Sequence, residues 1–375
     1  MHAYGRSADK VRGLSTTMES LRLTRVRRLV REENAPLALT AFLPLEGEAL
    51  LSAATLEKLR DKAEKALAKH PDRKEVESFR TNLDYAIGQL TDMAPPGTWL
   101  IAVTPTISET IFLPFTWKEE ISIGKSLKVH PALYALYRTP IAFVAVVSEH
   151  TTRWFENIGD RLFPLPLSPD IKEALSQLQK ARQQVQNTNV DSSQFGELFA
   201  QMARSAYHMA LVKYTEHLRN AITFYLKHEG VPVILMGDER IMEEVSRGLE
   251  GEKPLTLIGG IPETASTELI QGHVQQHLSH QRMVQEQMYY PFLAYSEAQT
   301  PQEIWTLLND SLPASPVLFV EEGYKLPSSE LTGKKRSLPS EDGIDLLVAE
   351  VREKGGTVLF LPPGRLPQPI MLILP

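Results

Sequence analysis

The spacing of apolar residues predicts a long helix near the middle of the chain. Polar residues fill positions 187–194, and apolar residues then recur every three or four positions from about Leu198 to His228. Such a stripe is typical of an α-helix that packs along a sheet through one face. The helix leads into the run from Pro232 to Gly237, which has the pattern of a buried strand. At a rise of about 1.5 Å per residue, the helix would separate the polar segment from the strand by about 45 Å.

Alternating helices and strands before this region predict an N-terminal α/β domain over residues 1–138. A helical pattern from Leu14 to Glu32 opens it, and a short helix from Pro131 to Tyr137 closes it. Two helices and four strands are predicted between them, with Pro44 ending the first strand.

The central segment, residues 139–293, begins with a near-continuous apolar run from Ile141 to Val147. The run predicts a central strand buried on both faces. A hairpin with Gly159 and Asp160 at its turn follows, and a helix from Ser266 to about Tyr290 ends the segment. We expect a mixed sheet with helices packed on it.

Pro291 marks the third boundary, and residues 294–375 have the pattern of a small αβα domain. Its clearest helix runs from Asp342 to Lys354, with Gly355 and Gly356 as the stop signal. The expected fold class is therefore α/β with three domains.

Composition narrows the class of protein. A content of 42% hydrophobic and 23% charged residues is ordinary for a globular protein. The chain has no cysteine, which excludes disulfides and thiolate chemistry. No apolar run is long enough for a transmembrane helix, and no signal-peptide core is present, so we expect a cytoplasmic protein without membrane partners. The net charge of −6 argues against a DNA-coating protein.

Basic residues are nevertheless concentrated in two places. Residues 1–34 carry eight lysines and arginines against four acids, and a second cluster lies near position 335. Local basic patches can meet RNA phosphates, although a solvated surface is the commoner explanation. The candidate RNA contacts are Arg22, Arg25, Arg28, Lys334, Lys335 and Arg336.

Three stretches, taken in order, resemble the bacterial branch of the archaeo-eukaryotic peptide-chain release factor superfamily. The first is Ile123–Pro131 leading into Pro140–Leu162, which resembles the junction between that family's N-terminal and central domains. The second is the long helix with the Val233–Gly237 strand, which resembles its central domain. The third, Asp342–Phe360, resembles its C-terminal domain, which shares the fold of kink-turn-binding ribosomal proteins.

The resemblance implies a tRNA-shaped, three-domain protein that acts in or near the ribosomal A site, without a cofactor. In release factors, a Gly-Gly-Gln loop before the long helix enters the peptidyl-transferase centre, and its glutamine positions the attacking water. This chain has Asp191, Ser192, Ser193 and Gln194 there, without a glycine pair. The catalytic candidates are therefore Gln194, Ser192 and Ser193. Because serine is a poor substitute where the backbone needs φ > 0, we expect at most weak hydrolysis, and a polar loop tip is the simpler interpretation.

Two other sets of residues have alternative explanations. His273, His277 and His280 share one helix face and could in principle ligate zinc. Three ligands on one helix converge poorly on a tetrahedral ion, so a solvated or RNA-facing stripe is favoured. Four methionines, on predicted helix or strand faces, are expected to fill the core: Met202, Met209, Met236 and Met242.

The function expected from the sequence is ribosome or structured-RNA binding by tRNA mimicry. Three alternatives remain open. The first is a protein-interaction scaffold that kept the fold and lost the ribosome. The second is a peptidyl-tRNA hydrolase that uses Gln194. The third is an enzyme on a small substrate, which a deep pocket with clustered titratable groups would favour.

Overall fold

The structure is a computed structural model. It describes residues 20–31, 34–45, 52–90, 96–188, 194–249, 255–293, 299–309, 315–331 and 342–374. Ser192, Ser193, Lys334, Lys335 and Arg336 lie outside the described residues.

The described chain forms two compact units. Unit 1 contains Leu21 and residues 140–278, and unit 2 contains residues 22–139 and 279–374. Each of the three segments predicted from the sequence holds its own sheet, with four, five and three strands in chain order. The predicted α/β class is confirmed, whereas the division into three domains remains a prediction.

The N-terminal part of unit 2 is an antiparallel sheet with strand order β3-β2-β1-β4 and helices packed against it. Its elements are α1 (Arg22–Arg31), β1 (Asn34–Leu45), α2 (Ala53–Leu67), α3 (Arg73–Gly88), β2 (Gly97–Val103), β3 (Ser108–Leu113), β4 (Glu120–Ser126) and α4 (His130–Tyr137). Ser52 and Asp72 accept backbone N–H groups at the starts of α2 and α3, as N-cap residues do.

The sheet of unit 1 has the order β7-β6-β5-β8-β9, with β5, β8 and β9 parallel. Its elements are β5 (Ile141–Val147), β6 (Thr152–Ile158), β7 (Arg161–Leu165), α5 (Pro169–Thr188), α6 (Gln194–Phe224), a π-helical turn (Tyr225–Glu229), β8 (Val233–Gly237), α7 (Glu239–Ser246), β9 (Leu255–Gly259) and the first part of α8 (Thr267–Leu293).

The C-terminal part of unit 2 is a mixed sheet in which β10 lies between β11, parallel to it, and β12, antiparallel. Its elements are α9 (Pro301–Asn309), β10 (Val317–Glu321), a 3₁₀ turn (Ser328–Glu330), α10 (Gly343–Glu353), β11 (Thr357–Leu361) and β12 (Ile370–Ile373).

Strand β5 is the central strand, as the apolar run predicts. All seven of its residues are buried. Ala142, Val144 and Val146 belong to a core cluster that includes Ile270 and Val274 of α8. Since side chains alternate along a strand, Phe143 points to the other face, where it stacks on Tyr225. Burial on both faces explains why the run contains no polar residue.

The predicted ends of two elements, β1 and α8, are wrong, and both predictions were based on a proline. Strand β1 continues through Pro44 to Leu45. Helix α8 passes Pro291 and ends at Leu293. Pro44 is followed by one more residue of β1 and Pro291 by two more residues of α8, so each element continues only briefly past its proline. The sequence pattern places Ser20 and Leu21 in a helix from Leu14 to Glu32. In the structure helix α1 begins at Arg22, so these two residues are not helical.

None of the helices among the described residues is long and apolar enough to cross a membrane.

Candidate functional site

Helices α5 and α6 pack side by side along most of their length. We call this pair, residues 169–188 and 194–224, the projecting hairpin. Small residues allow the two helices to approach closely, among them Ala174 and Ala181 of α5 and Ala203 of α6, all buried. The larger buried residues of α6 lie farther along it, and they include Leu211, Tyr214 and Leu218.

The end of α6 is fixed to the sheet by aromatic side chains. The rings of Phe143 and Tyr225 stack with centroids 3.8 Å apart. Trp154 meets both edge-on, at 5.5 Å from Phe143 and 6.0 Å from Tyr225. The three rings are almost completely buried, and aromatic pairs of this kind contribute beyond the area they bury.

The middle of the hairpin is held at the carboxyl end of β5. We call Glu149, His150, Arg182, Tyr207 and Arg240 the Glu149 cluster. The Tyr207 hydroxyl donates to Glu149 Oε1 at 2.5 Å, and Arg240 Nη1 lies 3.5 Å from the same oxygen. Arg182 Nε lies 3.6 Å from Glu149 Oε2 and also contacts the His150 ring. A single carboxylate therefore joins α5, α6 and the residues after β8 to the edge of the sheet.

Three further contacts reinforce this edge. The Tyr214 hydroxyl donates to the backbone oxygen of Ser148 at 3.1 Å, and it pairs with the Thr152 hydroxyl at 2.5 Å. Gln179 Nε2 of α5 donates to the backbone oxygen of His150 at 2.6 Å. The carboxyl ends of parallel strands are where α/β sheets commonly place functional groups.

The environment of Tyr207 raises the pKa of its phenol to about 12, first because of burial and then because of the hydrogen bond to Glu149. In the unfolded chain the phenol of a tyrosine ionises near pH 10. The pKa of the Tyr207 phenol is thus higher in the folded state than in the unfolded state. Its contribution to the free energy of unfolding is therefore fully present below pH 10 and is lost as the pH rises through 12.

We therefore expect Tyr207→Phe to remove one late-titrating phenol. A difference titration of phenolate absorbance, wild type minus variant, should show its midpoint near pH 12. The exposed Tyr85, replaced by Phe, serves as the control. Loss of a phenol with a midpoint near 10 from Tyr207→Phe would contradict the contact with Glu149.

Beyond the sheet edge, α6 continues toward the polar segment. From Tyr207 back to Gln194, its first residue, the helix rises about 20 Å. The sequence places a glutamine at this end, and the backbone of Gln194 starts the helix. The side chain of Gln194 lies outside the description, as do Ser192 and Ser193 altogether. The catalytic role of the three residues remains a prediction.

The outer face of α6 corrects one prediction. Met202 and Met209 do not fill the core: they are 60% and 67% exposed, whereas Met236 and Met242 are buried as expected. Successive turns place the exposed residues on one side of α6, opposite the face that carries Leu211, Tyr214 and Leu218. We call this surface the apolar stripe: Leu198, Phe199, Met202, Met209 and Val212.

The predicted RNA-contacting arginines of α1 lie in unit 2 and contact strand β3. Arg22 Nε donates to the backbone oxygen of Phe112 at 2.7 Å, and Arg25 pairs with Glu109 at 2.8 Å. Arg28 also pairs with Glu109 but keeps 55% of its side chain exposed. Their RNA contacts remain predictions, with Arg28 the most accessible of the three.

The three histidines occupy α8 at the predicted spacing, and the Nε2 of His277 lies 3.1 Å from the Thr256 hydroxyl. Within the described ranges, no three His, Asp or Glu side chains are grouped closely enough to hold a metal ion. His273 and His280 do not join His277 in such a group.

An open cavity of about 400 Å³ lies in the C-terminal part of unit 2. Its lining is mainly apolar and includes two charged residues, Glu286 and Arg365; Glu286 is paired with Arg282 at 2.9 Å. The enzyme on a small substrate remains a hypothesis.

Sequence reasoning missed the Glu149 cluster. Glu149 and His150 directly follow the β5 pattern, and Arg240 follows that of β8. Recognising β5 and β8 as neighbouring parallel strands would have placed these residues at one edge. Nothing in the sequence pattern singles out Tyr207 and Arg182, because their contacts depend on how α5 and α6 are rotated about their axes.

No protein-family model matches the chain, and no curated protein matches it either. Among solved structures, the archaeal translation termination factor aRF1 is similar at 12% identity with a TM-score of 0.24, covering 92% of this chain and 93% of that one. An archaeal Pelota, from a model of ribosome-bound Pelota and ABCE1, is similar at 9% identity with a TM-score of 0.30, covering 92% and 89%. S. cerevisiae Dom34, a translation termination-like factor, is similar at 10% identity with a TM-score of 0.26, covering 71% and 75%. Identities and scores this low establish neither a shared fold nor a shared function.

Proposed function

We propose that this chain is a release-factor-like protein that binds the ribosome or structured RNA through its projecting hairpin, without efficient peptidyl-tRNA hydrolysis. The observation that carries the proposal is the course of α6. It is fixed to the sheet at Tyr225 and Tyr207 and then continues about 20 Å past the edge to Gln194. A hairpin held in this way can insert its tip into a recess while the sheet stays outside.

Weak hydrolysis follows from the residues at the tip. A catalytic glutamine must be held in one orientation by its backbone, and glycine pairs permit backbone conformations that serine rarely adopts. Ser192 and Ser193 stand where the resemblance has glycines. The tip of this protein would therefore bind rather than catalyse.

Ribosome pelleting tests the binding. The full-length protein is centrifuged with ribosomes through a sucrose cushion at low and moderate salt, and we expect it in the pellet. Gln194→Ala should pellet equally well, because binding would depend on the hairpin and not on one amide. Recovery of the wild type wholly in the supernatant, at low salt too, would overturn the proposal.

A peptidyl-tRNA hydrolysis assay tests the proposed absence of efficient hydrolysis. We expect a rate close to the uncatalysed background for both the wild type and Gln194→Ala. A clear rate in the wild type that Gln194→Ala abolishes, with an unchanged melting temperature, would instead establish the hydrolase alternative.

The apolar stripe favours a second candidate, a protein-interaction scaffold. Exposed apolar residues aligned on one helix face are typical of surfaces that bind other proteins. Leu198→Asp with Met202→Asp should abolish such binding, whereas Gln201→Asp with His208→Asp changes polar residues of the same helix as a control. If the wild type does not pellet with ribosomes and binds no RNA, the scaffold is the better description.

A further inference from the structure

The cavity in the C-terminal part of unit 2 lies against one face of the three-stranded sheet. Its floor is formed by Phe319 of β10 and Leu361 of β11, which are 0% and 5% exposed and belong to the core cluster of that face. Helix α8 contributes Met283, Gln287 and Pro291, which are four residues apart and therefore share one side of the helix. The volume of about 400 Å³ is in the range of small-molecule sites, about 300–1,000 Å³.

Hydrogen bonds fix the α8 wall of the cavity beside the sheet. Arg282 Nη2 donates to Glu322 Oε1 at 3.1 Å, directly after β10, and to the backbone oxygen of Phe360 in β11. Arg282 Nε donates to Glu286 Oε1 at 2.9 Å. One guanidinium therefore ties the helix to the ends of both strands that form the floor, and it also pairs with the acid of the lining.

A second wall is the turn after β11, where Pro362 and Arg365 line the cavity. Glu321 Oε1, at the end of β10, accepts the backbone N–H of Gly364 at 2.8 Å and that of Leu366 at 3.4 Å. These two N–H groups flank Arg365 in the chain. The backbone that carries Arg365 is therefore held by the sheet in the absence of any ligand.

Two polar side chains of the lining are left for a ligand. Among the described residues, no hydrogen bond or ion pair engages the Arg365 guanidinium or the Gln287 amide. Arg365 is exposed and Gln287 is half-buried. The other charged residue of the described lining, Glu286, is already paired with Arg282. The charge that a bound molecule would meet unpaired is thus the positive charge of Arg365.

We infer that this cavity is a binding site for a small organic acid, whose apolar body lies over Phe319 and Leu361 and whose carboxylate is bound by Arg365. Guanidinium groups bind carboxylates through two parallel N–H donors. The Gln287 amide can donate to or accept from a polar substituent of the same molecule. An apolar lining with few polar groups is the usual composition of a small-molecule site. All of the lining residues lie in unit 2, so the inference is independent of the projecting hairpin in unit 1.

The first experiment uses two fluorescent probes that share the same rings. 1-Anilinonaphthalene-8-sulfonate carries an acid group, and N-phenyl-1-naphthylamine carries none. We expect the full-length protein to bind the sulfonate saturably, and Arg365→Met to weaken this binding about tenfold while leaving the affinity for the neutral probe unchanged. Arg73→Met, at the exposed start of α3, removes the same charge elsewhere and should preserve the binding of both probes. Equal affinity of the wild type and Arg365→Met for the sulfonate would overturn the inference.

The second experiment locates the probes. Met283 and Val284 are neighbours in α8 and are both 46% exposed, but Met283 lines the cavity and Val284 does not. The indole of Met283→Trp should fill the cavity and abolish the binding of both probes, whereas Val284→Trp should preserve it. Melting temperatures without probe show whether each variant is folded. If Met283→Trp is folded and binds both probes as the wild type does, the probes bind elsewhere and the inference is wrong.

A competition experiment tests the ligand class itself. 1-Naphthoate has a carboxylate on an apolar ring system, and 1-naphthylmethanol has a neutral hydroxyl at the same position. We expect 1-naphthoate to displace the neutral probe from the wild type at about tenfold lower concentration than 1-naphthylmethanol, and Arg365→Met to remove this difference. Equal displacement from the wild type by the two compounds would show that the cavity does not select an acid.

Discussion

Among glycine-to-alanine substitutions at the ends of the described strands, Gly237→Ala is expected to destabilise the protein most. Gly237 is the last residue of β8 and has a φ of +122°, which residues with a side chain rarely adopt. A Cβ there would lie 2.2 Å from the backbone oxygen of Val147. Strain of about 1–3 kcal/mol and a steric overlap of similar size act together, so we expect a loss of about 3–5 kcal/mol.

The displaced backbone matters for the site. Val147 precedes Ser148 and Glu149, and its oxygen accepts the backbone N–H of Asp238 at 2.9 Å. Moving Val147 would shift Glu149 away from Tyr207 and weaken the fixation of the projecting hairpin. The measurement is urea unfolding followed by circular dichroism.

Gly260→Ala is the matched control. Gly260 follows β9, the parallel neighbour of β8, and has a φ of +74°, but no atom lies within 4 Å of a Cβ built on it. It carries the conformational cost alone, which is about 1 kcal/mol. Equal destabilisation by the two substitutions would show that the contact with Val147 has no energetic weight.

Apolar periodicity predicted those elements whose burial is visible in the sequence pattern itself. The run in β5 has no polar residue because it is covered on both faces, and the Gly159–Asp160 pair forms the β6–β7 turn, with a φ of +61° at the glycine. Prolines were less informative, since Pro44 and Pro291 sit near the ends of elements that tolerate them.

Periodicity did not show which apolar residues of α6 are covered. The predicted stripe includes Phe199, Met202 and Met209, which are exposed, as well as Leu218, which is buried. At about 100° per residue, Met202 and Met209 lie opposite Leu218 on the helix, so they belong to a different face. A repeat of 3.6 residues indicates a face and does not show which partner covers it.

The candidate sites divide in the same way. The long helix could be predicted, because it has one continuous pattern, although it begins at Gln194 and not at about Leu198. The Glu149 cluster could not, because it joins the residues after β5 to side chains of α5, α6 and α7 that only the fold brings together. The arginines selected from charge density, Arg22 and Arg25, proved to be bound to β3.

Phe143→Ala is expected to release the base of the projecting hairpin. Phe143 is fully buried and contacts both Tyr225 and Trp154, so truncation leaves a cavity among aromatic rings. Substitutions of this kind cost about 3–5 kcal/mol. Phe143→Leu, which keeps most of the volume and loses the ring stacking, should cost distinctly less and serves as the control.

Hydrogen exchange identifies which contact holds the hairpin. If the aromatic rings fix α6 to the sheet, Phe143→Ala should accelerate exchange in the second half of α6, from Leu211 to Phe224, more than in α7 or β9. The part of α6 before Tyr207 should exchange quickly in the wild type already, because it packs on α5 alone. Uniform acceleration across unit 1 would mean that Phe143 stabilises the whole sheet and has no particular role in holding the hairpin, and the proposed insertion of the hairpin would lose its mechanical basis.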